Sequence, residues 1–141
     1  MRVKEYLHQA YRLDHRINSD IEEMTRLREM ATSVSSPVFG DKVQTSHIGE
    51  APFVRCVEKI MALEAQINAE IDTLVDLKEQ IRCVIDKVPD TDERMVLRYR
   101  YVHNYTWEQI GDELNADKST VRRWHGNALL HAEMPENPIV I

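Results

Sequence analysis

Residues 91–130 read TDERMVLRYRYVHNYTWEQIGDELNADKSTVRRWHGNALL, and the punctuation of this stretch sets the architecture of the chain. Thr106-Trp107-Glu108-Gln109 is a capping box, in which the Thr106 hydroxyl can accept from the Gln109 amide while the Gln109 side chain reaches back. Beyond it Trp107, Ile110, Gly111 and Leu114 share one helical face, and Glu108, Asp112 and Glu113 the other. A helical glycine costs about 1 kcal/mol relative to alanine; Gly111 is expected to leave room for the next helix to pass closely. Asn115-Ala116 is predicted to turn the chain, with Asp117 as N-cap of a further helix. Upstream, Pro89 isolates a helix opened by Asp90-Thr91-Asp92-Glu93, its acids in the first turn where the helix dipole favours them. Val96, Leu97, Tyr99 and Tyr101 supply that helix's apolar side, and the interleaved Arg94, Arg98 and Arg100 read as solvated surface charges. The spacing therefore predicts three short helices, with Tyr99, Tyr101, Trp107 and Trp124 in their core.

On the third of these helices Val121, Trp124 and Ala128 are expected to face inward. Lys118, Ser119, Thr120, Arg122, Arg123 and His125 are left pointing outward. Two helices joined by a tight turn, the second bearing clustered cations, form the pattern of a helix-turn-helix. The outward types suit base reading: arginine makes two hydrogen bonds to a guanine edge, and serine and threonine meet several bases. Lys118 at a helix start suits phosphate, as does the helix start at Thr106. These seven residues are the DNA-binding candidates.

The segment VLRYRYVHNYTWEQIGDELNADKSTVRRWHGNALL resembles region four of bacterial sigma factors, written VLxLRY, a short gap, SxEEIAxxL and then SxSTVxxxxxxAL. Within that class it looks most like phage and integrative-element transcription regulators of the ArpU/RinA type, which pair a helical N-terminal part with such a C-terminus. The strong match covers residues 93–130. The resemblance implies that Lys118, Ser119, Thr120, Arg122 and Arg123 occupy the DNA-reading positions. Gly111 stands where alanine is usual, Asn115 where glycine is usual, and Asp117 replaces the common serine or threonine cap. The implied function is sequence-specific regulation of transcription, as a phage or mobile-element late-gene activator, with promoter or operator DNA as partner. Two other readings are an RNA polymerase-docking module and a small terminase-like DNA-packaging adaptor, although such adaptors usually place the DNA-reading part first.

At 141 residues, with 43% hydrophobic and 30% charged residues and only four glycines, the chain reads as helix-rich and folded. The net charge of −6 is unevenly spread. Residues 1–90 hold twelve cations and sixteen acids, whereas 91–131 hold six of each and 118–123 hold three cations and no acid. DNA binding needs a local positive face, not a basic whole. No apolar run is long enough to span a bilayer and no secretory segment opens the chain, so the expected location is the cytoplasm of a bacterial host, with the nucleoid as the bound state and no membrane partner. Cys56 and Cys83 fall on one long helix, about 40 Å apart at 1.5 Å per residue, too far for a disulfide; both are expected to be buried. No nucleophile–base pair, phosphate loop or metal-ligand spacing is present, so neither an enzyme nor a cofactor is expected.

Upstream of residue 89 the periodicity is helical. Residues 3–31 repeat Val3, Ala10, Ile17, Met24 and Ala31 every seven, with Tyr6, Leu13 and Leu27 beside them and Ile21 taking over where Asp20 interrupts. Residues 53–88 carry Ile60, Ile67, Leu74, Ile81 and Val88 at the same interval, with Leu63, Leu77 and Val84 alongside and Ile71 and Ile85 broadening the stripe. The expected fold is all-α: a long antiparallel, coiled-coil-like helical hairpin over 1–88, then the helix-turn-helix over 89–131 and an irregular tail over 132–141. A flexible connector is expected over 32–52, with Pro52 starting the second helix and Val38, Phe39 and Val43 able to dock. A hairpin buries only one side of so broad a stripe, which favours a homodimer or a higher homo-oligomer.

Overall fold

The computed structural model describes residues 1–35 and 45–141, with side chains described for 1–33 and 51–141. Helix α1 runs Val3–Ser35 and α2 runs Thr45–Asp86; α3 (Thr91–Leu97), α4 (Trp107–Leu114) and α5 (Lys118–His131) follow, and no strand occurs among the described residues. The two ends of the expected connector are thus helical. Pro52 lies inside α2 instead of starting it; its fixed φ suits a helix even though it supplies no amide hydrogen. The docking expected of Val38, Phe39 and Val43 falls outside the described residues.

The long helices pack against each other and run antiparallel. The Tyr6 hydroxyl donates to Gln80 Oε1 at 2.6 Å, and the Gln66 amide donates to Asp20 Oδ2 at 3.3 Å. These contacts step forward along α1 and backward along α2, as opposed helices require. The chain divides into two compact units, one of Met1–Asp14 with Thr73–Ile141 and one of His15–Asp72. In the second, Ile17, Ala31, Cys56, Leu63 and Ile67 are buried. Cys83, in the first, is exposed, against expectation. None of the described helices is long and apolar enough to cross a membrane.

In the first unit α3 is apolar on two faces because it is covered on two sides. Leu97, with Tyr101 just beyond the helix, joins Tyr6, Leu7 and Ala10 of α1, Leu77, Ile81, Val84 and Ile85 of α2, and Ala128 of α5 in one core. Val96 turns the other way, into a smaller core with Ile110 and Val121, where Tyr99, Trp107, Leu114 and Trp124 are packed half-buried. A single π-helical turn, Arg98–Val102, separates these roles. It closes with the His103 amide donating to the Arg98 carbonyl at 3.2 Å, and the extra residue per turn lets Tyr101 stay in the first core.

Beyond α5 the chain lies along the hairpin. The Gln80 side chain donates to the Asn137 carbonyl and accepts from the Ile139 amide, both at 2.9 Å. Gln9, 5% exposed, donates to the Ile139 carbonyl at 2.8 Å and accepts from the Ile141 amide at 3.0 Å. Each primary amide offers a donor and an acceptor in one plane, which matches the alternation along an extended backbone.

Candidate nucleic-acid interface

The start of α4 is fixed by the capping box read from the sequence. Thr106 Oγ1 accepts from the Gln109 amide at 3.2 Å, and Gln109 Oε1 accepts from the Thr106 amide at 2.9 Å. Asn115 ends α4 in the left-handed region at φ 53°, with its amide and that of Ala116 both donating to the Gly111 carbonyl. Asparagine tolerates that conformation because its short polar side chain can bond locally. A Cβ at Gly111 would lie 2.7 Å from the Ala116 carbonyl oxygen but 3.9 Å from the nearest Val121 atom. The glycine therefore makes room chiefly for the turn's own backbone, and only secondarily for the next helix.

Asp117 holds the N-cap position of α5 in extended backbone but makes no side-chain capping bond, contrary to expectation. The first amides of α5 are consequently left without a side-chain acceptor at the cap, which suits them to an anion. From there α5 is sharply two-sided. Val121, His125 and Ala128 are buried; Lys118, Ser119, Arg122 and Arg123 are exposed and Thr120 is half-buried. Ser119, Arg122, Arg123, Gly126 and Leu130 follow i, i+3, i+4, i+7 and i+11 spacing, which puts them on one outward face. A Cβ on Gly126 would meet nothing within 4 Å, so no internal contact requires the glycine there. Lys118 Nζ sits 3.4 Å from Glu108 Oε1 on α4, both side chains exposed; such a pair contributes at most about 1 kcal/mol and gives way readily to phosphate.

His125 is the correction among the candidates. It is 7% exposed, and its Nε2 lies 2.7 Å from the Tyr101 hydroxyl. Burial, reinforced by the Lys4 and Arg100 cations, pushes its pKa down to about 4, while burial raises that of Tyr101 to about 12. A phenol kept protonated donates to an unprotonated ring nitrogen, so His125 is a neutral core residue and reads no base. The signal was available: position 125 is four after Val121 and three before Ala128, both inward. Trp107 packs edge-on against the His125 ring at 4.8 Å between centroids.

Two of the arginines expected to be solvated are structural pins. Arg100 donates to the Tyr105 carbonyl at 3.0 Å and lies 4.2 Å over the Trp107 ring. Arg94 donates to the Val88 carbonyl at 3.3 Å and to Thr91. Glu93 is likewise drawn inward, to 6% exposure, and its carboxylate sits 2.9 Å from His131 Nδ1 in the last turn of α5. That contact ties the beginning of α3 to the end of α5.

The outward face thus gathers Lys118, Ser119, Arg122 and Arg123, with Thr120 at its edge and Thr106 exposed at the head of α4. The family model described as sigma-70, region 4, matches residues 87–131. This stretch is a sigma region four-like helix-turn-helix. No curated protein and no solved structure matches the chain. Within the region 4 unit, α4 and α5 are the paired helices and α3 the one that braces them.

Proposed function

We propose that the protein is a sequence-specific transcription regulator whose α5 enters the major groove. The observation that supports this most directly is the exposed face of α5, where Arg122, Arg123, Ser119 and Lys118 project, Lys118 paired loosely with Glu108, in a region 4 helix-turn-helix. Arg122 and Arg123 read bases, Ser119 and Thr120 assist, and Lys118 with the starts of α4 and α5 holds phosphates. A phage or mobile-element activator of late genes is the reading that joins such a unit to a helical N-terminal part. The protein acts as a homodimer, which sets two recognition helices on successive half-sites about 34 Å apart and offsets the weak grip expected of one acidic chain. Support for pairing comes from α2, where Val54, Met61 and Val75 stand 45%, 65% and 58% exposed at multiples of seven residues.

Replacing Arg122 by alanine should weaken binding to the cognate promoter fragment by about 1–3 kcal/mol and relax preference at one base pair. Fluorescence anisotropy reads both, and an equal loss on scrambled DNA would show that Arg122 reads no base. A second reading follows from the region 4 match itself, namely that the unit docks on RNA polymerase. Capture of polymerase by protein that leaves promoter fragments unbound would favour it.

A further inference from the structure

We propose that Lys4 and Arg12 of α1, set around the His8 and Tyr11 rings, form with Arg100 of the region 4 unit a second cationic surface that holds the phosphate backbone of DNA beside the helix-turn-helix. The inference rests on the DNA-binding reading above and extends it to residues far outside the matched segment.

Leu7 and Ala10 enter the core shared with Leu97 and Tyr101, and Asp14 Oδ2 meets Asn104 Nδ2 at 3.5 Å, so this flank of α1 abuts the loop leading to α4. Turning outward from that flank, positions 4, 8, 11 and 12 share the next face at i, i+4, i+7 and i+8 spacing. They are Lys4, His8, Tyr11 and Arg12, with no acid among them. Lys4 and Arg12 are exposed, and the half-buried His8 ring stacks on Tyr11 at 5.0 Å. The pKa of His8 is lowered by burial first and then by the Arg12, Arg100 and Lys4 cations, so its ring stays neutral at neutral pH and the positive charge of this face comes from Lys4 and Arg12.

This surface continues into the recognised one. Arg100 lies on Trp107, the first residue of α4, and Glu108 beside it touches Lys118 at the start of α5. A belt therefore runs from α1 through the head of α4 to the head of α5, and the acids along it are engaged, Glu108 by Lys118 and Asp14 by Asn104. Cations interleaved with aromatic rings along such a belt complement a regularly charged polyanion.

Fluorescence anisotropy on a mixed-sequence duplex of about 30 base pairs, long enough to pass both surfaces at ~3.4 Å per pair, tests this across a salt series. The full chain carrying K4E/R12E should bind about tenfold more weakly, with a log affinity–log salt slope flattened by about 1–2. K4Q/R12Q should shift both in the same direction by less. R28E/K59E, an equal change of charge on exposed residues of the other unit, should match the wild type. If K4E/R12E and R28E/K59E bind alike, the effect is net charge and the α1 surface is refuted, as it is if K4E/R12E loses RNA polymerase but keeps DNA. A wild type that binds no duplex refutes the DNA reading itself.

Discussion

The two ends of the helical hairpin carry the same seven-residue pattern and are packed differently. Where the hairpin meets α3 and α5, Leu77, Ile81 and Ile85 are completely buried. In the His15–Asp72 unit Ile17, Leu63 and Ile67 are buried, but Ile60, Met24 and Leu27 beside them in the seam are only half-buried, and Ile71 is exposed. A pair of helices covers a narrow line on each partner, whereas these stripes are broader than that line. Leu97, Tyr101, Ala128 and Ala132 supply a third layer at one end. The repeat therefore specifies that the helices pair, and the added layer decides how far each side chain leaves water.

The sharpest break of this contrast comes from truncating one isoleucine at each end. Ile81→Ala removes a side chain with no exposure and should destabilise the fold by about 2–5 kcal/mol, the range for a cavity that cannot collapse. Ile60→Ala should cost about 1 kcal/mol, because part of its surface never left solvent. Urea denaturation compares them directly, and equal losses would mean that the third layer adds nothing to burial.

Acid should strike the sealed end selectively. His125 has a folded pKa of about 4 against 6.5 unfolded, so the unfolded chain takes up a proton first as the pH falls. Its stabilising contribution is complete above about pH 6.5 and is lost progressively toward pH 4, amounting to roughly 3–4 kcal/mol at ~1.4 kcal/mol per unit. Thermal melts between these limits should show a descending acid limb, and in His125→Phe that limb should flatten. An unchanged limb would place the acid-sensitive group elsewhere.

The glutamines make a finer contrast. Gln9→Ala strands the Ile139 carbonyl and the Ile141 amide beside a buried site, and about 1–3 kcal/mol should be lost. Gln66→Ala removes exposed bonds to Asp20 and Glu70 and should change stability by no more than about 0.5 kcal/mol. Proteolysis of residues 133–141 in the Gln9 variant checks the first independently.

Much of this was legible in the sequence where the cause is local. The Thr106–Gln109 box, the Asn115 turn and the acids after Asp90 each depend on residues within one helical turn, and all three occur as expected. The seams of α1 and α2 were legible for the same reason of periodicity. What escaped depends on partners distant in sequence. Nothing near Gln9 announces a contact with Ile139, 130 residues away. The division of the α3 side chains between two cores required knowing that α1 lies behind it. His125 shares a helical stripe with the outward Lys118 and Arg122 and another with the inward Val121 and Ala128, and only the packing of Tyr101 and Trp107 against it decides between them. The outward positions of Lys118, Ser119, Arg122 and Arg123 followed from the inward ones by exclusion, which is why the site was readable before the fold.

The smallest effect on the chain alone concerns exposed side chains of α2, Met61 in the open end and Val75 beyond it, both mostly in solvent. Met61→Ser should alter the stability of a single chain by less than about 0.5 kcal/mol, since little surface is lost from the interior. If those side chains instead meet a second copy, the same substitution removes apolar area from that interface, and the melting temperature of the wild type should rise with protein concentration while that of the variant does not. Light scattering at two concentrations gives the matching mass. A wild type whose mass and melting point ignore concentration would mean that these residues simply stay wet, and that the looser packing of this end is its final state.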